Sequence, residues 1–565
     1  MTALPPTLAS AEVSTVDDAL ERVVTSGTVL TSGLATSEPT AVYARLWDHV
    51  RQHDITDLEI RQGLFMAAHP LLLGDELAAH RAHGTPLPGD DSAVGRALAG
   101  IQRVSAHLPV VGDDLEGRIG DAADQLAQLR LLTDHFDQLE ARDIRFTSAF
   151  LGPASNTILP DIAPVRAIAP RWAGRNRVSG GLVDYQPVHF PDAAWALSHR
   201  VSDGAADIDV DVHVVVTTEP RDGRLSFGMS NGVDGDVLAW LHEADTHLLL
   251  LLSSTQPWIE GLPWAPNTIA VDELAPLVEA GRLTVVRDDT PVPALPRGSF
   301  DATEVETTIG RHVADHIGDH LDRTRGRALQ VGIGGTGVQA IRGLADGPWT
   351  GRGYTEMLDP VTWQLVESGT ITGTHSLHDG RREELDGSIL CTFALGEEGD
   401  GFPETLDGND RVLLAPATHV LQEHAFHGGL GVNNILGIDF NGQVNAFSRG
   451  SNPWSGIGGQ ATIMRGLAIG GIAYLCMKST YRTPDGQVHS AVMPALPEGT
   501  PVALTGPDLF GTRDDARVFL ATEHGIACIN ARSRGDFVRQ VISVAHPDHR
   551  DDLAAAAWDR HRIRV

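Results

Sequence analysis

One glutamate stands in a setting where a carboxylate could act as a nucleophile. Glu356 lies in the segment Gly353-Tyr354-Thr355-Glu356-Met357, about twenty residues after a glycine-rich turn. A carboxylate in such a place can attack an acyl group, for example a thioester, and form a covalent intermediate. The plainer interpretation is a loop glutamate that is simply solvated, and the segment taken alone favours that interpretation.

The preceding glycine turn fits the pattern G-x-G-x-x-G at Gly332–Gly337. In dinucleotide-binding proteins this turn opens a helix, and an acid that ends a second apolar strand follows about twenty residues later. Glu356 lies at that distance, but the loop Gly347–Gly353 leads to it, so NAD binding is disfavoured. Two interpretations stay open, a tight turn only, or backbone N–H groups that approach a thioester or phosphate.

A second glycine stretch, Gly456–Gln460, reads G-I-G-G-Q. Because it carries little side-chain bulk, its backbone N–H groups can approach a ligand closely, as an oxyanion site requires. A glycine-rich turn at the end of a strand is the alternative.

Two other patterns favour structural interpretations. Gly228–Gly232 fits G-x-S-x-G, but the helix that a nucleophile elbow needs is delayed by Val233–Asp236, which favours a glycine-rich loop. His312, His316 and His320 recur at helical spacing and could bind a metal. A solvated helix face explains them better, and three widely separated cysteines add no ligand cluster, so no metal site is predicted.

Composition is that of a globular protein and disfavours several functions. The 565 residues are 42% hydrophobic, and the formal net charge of −31 argues against binding nucleic acid or an anionic membrane surface. The amino terminus lacks the basic and apolar regions of a signal peptide. The most apolar run, Leu248–Leu252, is too short to span a bilayer. The three cysteines are far apart and predict no disulfide framework, so a reducing cytoplasm is expected.

The elements that must position these segments alternate between strand and helix. From 143 to 290, β-like runs such as VDVHVVVT and HLLLLL alternate with turns, which is typical of an open α/β sheet. Residues 80–142 show leucines at helical spacing and predict a helical insertion. A proline-rich linker predicts a boundary between domains 1–298 and 299–565, where a capping-box pattern at Asp301 opens a helix.

Five segments in register resemble the acetyl-CoA hydrolase/transferase family of class I CoA-transferases, in the branch that includes 4-hydroxybutyrate CoA-transferase. They are LQVGIGG, YTEMLDPVTWQLVESGTITG, VNNILGIDFNGQVNAFS, WSGIGGQATIMRGLAIGGIAYLCMKST, and FLATEHGIACINARSR with AHPDHR. The weaker segments SGLATSEPTAVYARL and VDYQPVHFP extend the resemblance over most of residues 25–555. No single motif is decisive, but the shared order is specific.

The resemblance implies two open, mainly parallel α/β domains of the CoA-transferase type, with the helical insertion in the first and the active site between them. It implies an enzyme that moves CoA between an acyl-CoA donor and a small carboxylic acid. Glu356 stands at the catalytic glutamate of the family, which carries CoA as a glutamyl-CoA thioester. CoA is then a substrate, and a homodimer or higher homo-oligomer is expected.

The resemblance also implies two sets of supporting residues. Oxyanion and CoA-binding groups are expected at Gly332, Gly334, Gly335, Gly458, Gly459 and Gln460. The acyl pocket is expected at Tyr354, Met357, Asn433 and Phe447. Tyr354 replaces a histidine of the family and Phe447 an acidic residue, and these departures predict a bulkier or unusual acid.

Two other functions stay open. Water that opens the same glutamyl thioester makes the protein an acyl-CoA hydrolase. A CoA-binding protein without turnover also fits the altered residues around Glu356, although such a protein is expected to lose the glutamate itself.

Overall fold

Each half of the chain is built around one large open sheet with helices packed on it. In this computed structural model the described residues are 4–66, 69–83, 85, 127–128, 130–152, 183–201, 206–241, 243–332, 334–483 and 487–565. The α/β class predicted from the sequence is confirmed.

The first sheet has seven strands, all parallel. They are β1 (Val29–Leu34), β2 (Leu58–Leu64), β3 (Ile144–Phe150), β4 (Val183–Tyr185), β5 (Val212–Thr218), β6 (His247–Ser253) and β7 (Leu283–Asp288). Their order is β7-β6-β5-β1-β2-β3-β4, so the chain starts in the middle of the sheet and completes one side before the other. Strands of a parallel sheet are covered on both faces, which explains the five consecutive leucines of β6.

The second sheet has six strands. They are β8 (Ala328–Val331), β9 (Arg352–Gly353), β10 (Leu430–Asn434), β11 (Ile472–Cys476), β12 (Arg517–Thr522) and β13 (Gly525–Cys528). The order is β9-β8-β10-β11-β12-β13, and all pairs are parallel except β12 with β13. A mainly parallel sheet in each half agrees with the predicted architecture.

Helices and small two- or three-stranded sheets make up the rest of the described fold. The helices are Pro6–Ala9, Val16–Val23, Thr40–Gln52, Pro70–Leu73, Asp75–His83, Ala193–Ser198, Asp234–Leu238, Ala275–Glu279, Glu304–Asp319, Leu321–Thr324, Gly335–Ala345, Pro360–Glu367, Phe402–Leu406, Ala417–Val420, Gln460–Leu467, Gly506–Phe510, Arg534–Ser543 and Pro547–His561, with 3-10 turns at Ala35–Ser37, Phe190–Asp192, Val271–Leu274 and Glu423–Phe426. The short strands are His199–Val201, Ala206–Ile208, Arg224–Ser226, Thr268–Ala270, Met357–Leu358, Gly373–His378, Arg381–Asp386, Ile389–Cys391, Phe393–Ala394, Val412–Leu414, Gly437–Asp439, Val444–Asn445, Ser448–Arg449, Asn452–Pro453, Thr480–Arg482, Val488–Ser490 and Val492–Met493.

The helix that opens the second half begins later than the sequence predicted. Its cap is Thr303, whose hydroxyl accepts the N–H of Glu306 at 3.3 Å, while the Glu306 carboxylate accepts the N–H of Thr303 at 2.7 Å. The predicted cap at Asp301 is therefore wrong, because the N–H of Asp301 donates to Gly298 O in a turn instead of to a glutamate side chain. A capping box has the same three-residue spacing in either register, so the pattern alone did not decide between them.

The predicted helical insertion is only partly described. Residues 127–128 and 130–141 are helical, and the helix Asp75–His83 covers its beginning. Residues 84, 86–126 and 129 lie outside the described part. In the described ranges, no helix is both long enough and apolar enough to cross a lipid bilayer.

The two halves share one apolar core rather than meeting at a polar surface. Leu34 and Val215 of the first sheet belong to the same buried cluster as Met357 and Leu421 of the second half. A backbone hydrogen bond of 3.1 Å also runs from Phe190 N–H to Gly458 O. The predicted boundary near 298 falls in the connection between β7 and the helix Glu304–Asp319 and stays a prediction.

Candidate active site

The backbone of Glu356 is fixed by its neighbours in the second half. The carbonyl of Glu356 accepts both the N–H and the hydroxyl of Thr392, at 2.9 and 2.8 Å. One residue earlier, the N–H of Thr355 donates to Leu390 O at 3.0 Å. The segment that the sequence left open as a solvated loop is therefore tied into the second half of the fold.

The glycine pair Gly458-Gly459 lies against the Glu356 carboxylate. Gly459 N–H donates to Glu356 Oε2 at 2.7 Å. A Cβ atom on Gly459 would lie 2.5 Å from that oxygen, and one on Gly458 would lie 3.1 Å from Oε1. Gly458 has a φ of 61°, in the region that glycine favours. The close approach of backbone and carboxylate thus explains why both positions are glycine.

Burial makes the Glu356 carboxyl a weaker acid than an ordinary glutamic acid. Removal from water raises its pKa from 4.5 to about 7, and the hydrogen bond from Gly459 N–H offsets part of that rise. The helix Gln460–Leu467 begins directly after Gly459, and the positive end of a helix also favours a carboxylate. Partial burial and, among the described residues, a single N–H donor leave this carboxylate poorly solvated, which increases its nucleophilicity.

Glu356 lines a cavity of about 350 Å³ between the two halves of the chain. The wall from the first half is apolar and includes Leu64, Phe65, Met66, Phe150, Leu151 and Phe190. The wall from the second half carries amide and hydroxyl groups, at Gln330, Asn433, Asn434, Ser455 and Gln460. The cavity therefore places a carboxylate between an apolar surface and a hydrogen-bonding surface.

The structure brings together most of the residues that the sequence predicted for the site, but not all of them. The cavity is lined by Glu356 with Gly332, Met357, Asn433, Gly458, Gly459 and Gln460. Four predicted residues are not among the residues that line it: Gly334, Gly335, Tyr354 and Phe447.

The Gly334-Gly335 turn faces other partners. A Cβ atom on Gly334 would lie 2.5 Å from Asn434 Nδ2, and one on Gly335 would lie 3.1 Å from the Glu306 carboxylate. The Glu306 carboxylate is itself 3.0 Å from Lys478 Nζ. These glycines allow close packing at the start of the helix Gly335–Ala345, and their part in the chemistry stays a prediction.

Tyr354 points into the core on the other side of its segment. Its side chain is 1% exposed, its hydroxyl donates to Val420 O at 2.7 Å, and its ring stacks on His375 with centroids 4.5 Å apart. Phe447 is also buried and packs toward Tyr185, 6.5 Å between centroids. Both rings therefore support the site from behind rather than line the cavity.

Tyr354→Phe is expected to lower stability while leaving catalysis nearly unchanged. The substitution leaves the buried Val420 carbonyl without its donor, which costs about 1–3 kcal/mol. Denaturant unfolding measures this cost, and steady-state kinetics with acyl-CoA measures the other half of the prediction. A change in acyl preference with unchanged stability would show that Tyr354 acts on the substrate after all.

The sequence did not identify Gln330 as a site residue. Its side chain is 2% exposed and lines the cavity at β8, and its Oε1 has no hydrogen-bond partner among the described residues. The same holds for Oε1 of Gln460, which is 8% exposed. Buried acceptors of this kind are normally satisfied, so both oxygens are available to N–H donors of a ligand. The only sequence signal was a polar residue inside the apolar strand LQV.

The serine of Gly228–Gly232 and the histidines of the helix Glu304–Asp319 have structural contacts. Ser230 is fully buried and its hydroxyl donates to Leu34 O at 2.8 Å. His312 contacts Thr522 O at 3.1 Å and His316 contacts the hydroxyl of Tyr474 at 2.8 Å. Among the described residues, no three potential ligands come together at one metal site.

A larger groove of about 1290 Å³ adjoins the cavity, because Met66, Ala294 and Pro296 line both. Its described lining carries five carboxylates, at Asp75, Glu397, Glu398, Asp400 and Glu404. This negative charge disfavours polyphosphates, so phosphate groups of a ligand are expected outside the groove.

Comparison with known proteins agrees with this fold. Residues 400–557 match the model of the acetyl-CoA hydrolase/transferase C-terminal domain. A butyryl-CoA:acetate CoA-transferase of Anaerostipes caccae is 28% identical over 275 residues, which are 48% of this chain and 57% of that relative. The match thus spans less than two thirds of the relative's length.

Two solved structures have the same fold over nearly the whole chain. RipA from Yersinia pestis superposes with a TM-score of 0.65 at 20% identity, and 4-hydroxybutyrate CoA-transferase from Porphyromonas gingivalis with 0.56 at 17%. Both likenesses cover 98% of each chain and concern the fold alone. The match to the family model and the CoA-transferase relative confirm the predicted resemblance to the acetyl-CoA hydrolase/transferase family. The superpositions confirm the predicted α/β architecture of the CoA-transferase type.

Proposed function

We propose that the protein is a CoA-transferase that moves CoA from an acyl-CoA to a carboxylic acid through a glutamyl-CoA thioester on Glu356. One observation carries the proposal: the Glu356 carboxylate lines a cavity between the two halves and is held by the N–H of Gly459 at 2.7 Å. The resemblance to CoA-transferases supports the substrate class.

The covalent steps balance with the glutamate and its substrates alone. The Glu356 carboxylate attacks the thioester carbonyl and the carbon–sulfur bond breaks. CoA leaves as a thiolate, and a mixed anhydride between the acyl group and Glu356 remains on the enzyme. The thiolate then attacks the glutamyl carbonyl and expels the first carboxylate, which leaves a glutamyl-CoA thioester. An incoming carboxylate reverses both steps, so one negative charge is conserved in each and no proton is consumed.

Gly459 has a defined part in this sequence. When the thiolate attacks the glutamyl carbon, one former carboxylate oxygen becomes the oxyanion of a tetrahedral intermediate. Gly459 N–H already donates to Oε2 in the resting enzyme, so it can stay on that oxygen as charge develops there. A donor placed in this way contributes about 3 kcal/mol to the transition state.

The direct test is mass spectrometry after incubation with acyl-CoA and no acceptor acid. We expect the peptide that contains Glu356 to gain the mass of CoA less one water, and borohydride to reduce the thioester and remove CoA. No gain in mass from any acyl-CoA, together with no thiol release, would refute the proposal and favour a CoA-binding protein without turnover.

Hydrolysis is the second outcome of the same experiment, because water can open the same thioester. Free acid and free CoA that accumulate without an acceptor, faster than transfer occurs with one, would identify an acyl-CoA hydrolase. The cytoplasmic location and the homo-oligomer stay predictions from composition and resemblance. Fractionation of the host cell tests the location, and size-exclusion chromatography of the purified protein tests the oligomer.

The rate of the first half-reaction is expected to rise with pH through about 7. Only the ionised carboxylate attacks, and burial holds the pKa of Glu356 at about 7, so protonated enzyme accumulates below that pH. The rate of thiol release at low acyl-CoA concentration measures this titration. A midpoint near the ordinary value of 4.5 would mean that the carboxylate is better solvated than its surroundings indicate.

A further inference from the structure

Three aromatic rings that line the cavity lie in a row that extends to the segment containing Glu356. Phe150 and Phe190 of the first half meet edge to face, with centroids 5.3 Å apart, and Phe190 meets Phe393 in the same way at 6.0 Å. Phe393 pairs with Met357, the residue after Glu356, in a short parallel ladder. The rings therefore form a continuous apolar row beside the carboxylate.

The charged groups in the described lining of this cavity do not fit a dicarboxylic acid. Glu356 is the only ionisable residue in the described lining. A second carboxylate on the acyl group meets no cation among the described lining residues and faces the repulsion of Glu356, and burial of an unpaired charge is strongly unfavourable. An apolar chain instead gains by removal from water along the aromatic row.

We infer that the acyl groups accepted at this site are apolar, uncharged chains of intermediate size, derived from monocarboxylic acids and seated on the row of Phe150, Phe190 and Phe393. The volume of about 350 Å³ holds roughly a dozen heavy atoms at ~30 Å³ each. Part of it receives the thioester and the end of the pantetheine arm, which leaves room for acyl chains of roughly four to eight carbons. This inference rests on the proposed transfer reaction and names its substrate class.

The test compares the second-order rate constants for labelling of Glu356 by acetyl-, butyryl-, hexanoyl- and succinyl-CoA. Butyryl and succinyl have the same number of carbons and differ in the terminal carboxylate. We expect about fourfold faster labelling for each added methylene up to hexanoyl, and at least ~100-fold slower labelling by succinyl- than by butyryl-CoA.

The outcomes separate this inference from the proposed function. Succinyl-CoA as fast as butyryl-CoA, or acetyl-CoA as the fastest donor, overturns the substrate class but leaves the covalent reaction in place. No labelling by any donor overturns the reaction itself and the substrate class with it.

A matched pair of variants tests whether the acyl chain binds on the aromatic row. Phe150→Leu removes one ring from the row, whereas Phe510→Leu removes a ring outside the cavity that meets Phe537 at 5.0 Å and 83°, close to the 5.3 Å and 81° of Phe150 with Phe190. We expect the preference for hexanoyl- over acetyl-CoA to fall about tenfold in Phe150→Leu and to stay unchanged in Phe510→Leu. Equal changes in both variants, or no change in either, would contradict this placement.

Discussion

Glu356→Gln is expected to lower turnover by at least ~10³-fold and to abolish the covalent CoA adduct. Glutamine has nearly the same shape, and its amide oxygen can still accept the N–H of Gly459. What it lacks is the nucleophilic carboxylate. Steady-state assays with saturating acyl-CoA and acid measure the loss, and mass spectrometry of the same samples measures the adduct.

The same variant is expected to be more stable than the wild type above neutral pH, which separates lost chemistry from lost structure. Burial raises the pKa of Glu356 to about 7 in the folded protein, compared with 4.5 for a solvent-exposed glutamate. A raised carboxyl pKa means that folding favours the protonated form, so the wild type loses stability as the pH rises from about 4.5 to about 7. Glutamine stays neutral, so it avoids this loss, which amounts to at most about 3 kcal/mol.

Denaturant unfolding at pH values on either side of this window measures the difference. Glu260→Gln is the control, since its carboxylate forms a partly exposed ion pair with Arg224 at 3.2 Å, far along the chain from Glu356. We expect near-normal turnover and stability from the control. Substantial turnover by Glu356→Gln would exclude this carboxylate as the nucleophile.

Patterns along the chain could predict the alternating strands and helices, because these depend on local order, whereas Glu356 was singled out by the family resemblance of its segment. The buried strand His247–Ser253 appears in the sequence as a run of leucines. The direction in which Tyr354 points could not be predicted in this way, since it depends on Val420 and His375, which approach only in the folded chain.

The sequence also could not predict which apolar residues form the wall of the cavity. Leu64 and Phe150 lie at the ends of β2 and β3 and look like ordinary core residues of a buried sheet. They line the cavity because the second half packs against those strand ends. A contact between halves separated by hundreds of residues leaves no periodic signal, so only the folded chain shows which apolar residues face a ligand.

Gly459→Ala is expected to reduce turnover by about 10²–10³-fold with the protein still folded. The backbone of Gly459 has a φ of −87°, which alanine adopts without strain. The effect therefore comes from contacts: the new Cβ atom would lie 2.5 Å from Glu356 Oε2 and 2.7 Å from a methyl group of Leu421. The carboxylate must move away, and it loses the N–H that holds it and that can stay on the oxyanion.

The pH profile shows whether this hydrogen bond is the reason for the loss. The N–H of Gly459 lowers the pKa of Glu356, so the variant is expected to have a pH midpoint above the wild-type value of about 7. Gly318→Ala is the matched control, because its Cβ atom would lie 3.7 Å from Pro348, an ordinary contact, inside the helix Glu304–Asp319. That control is expected to keep full turnover and gain a little stability from alanine's higher helix propensity. A slow Gly459→Ala enzyme with an unmoved midpoint would mean that overpacking against Leu421, rather than loss of the hydrogen bond, causes the defect.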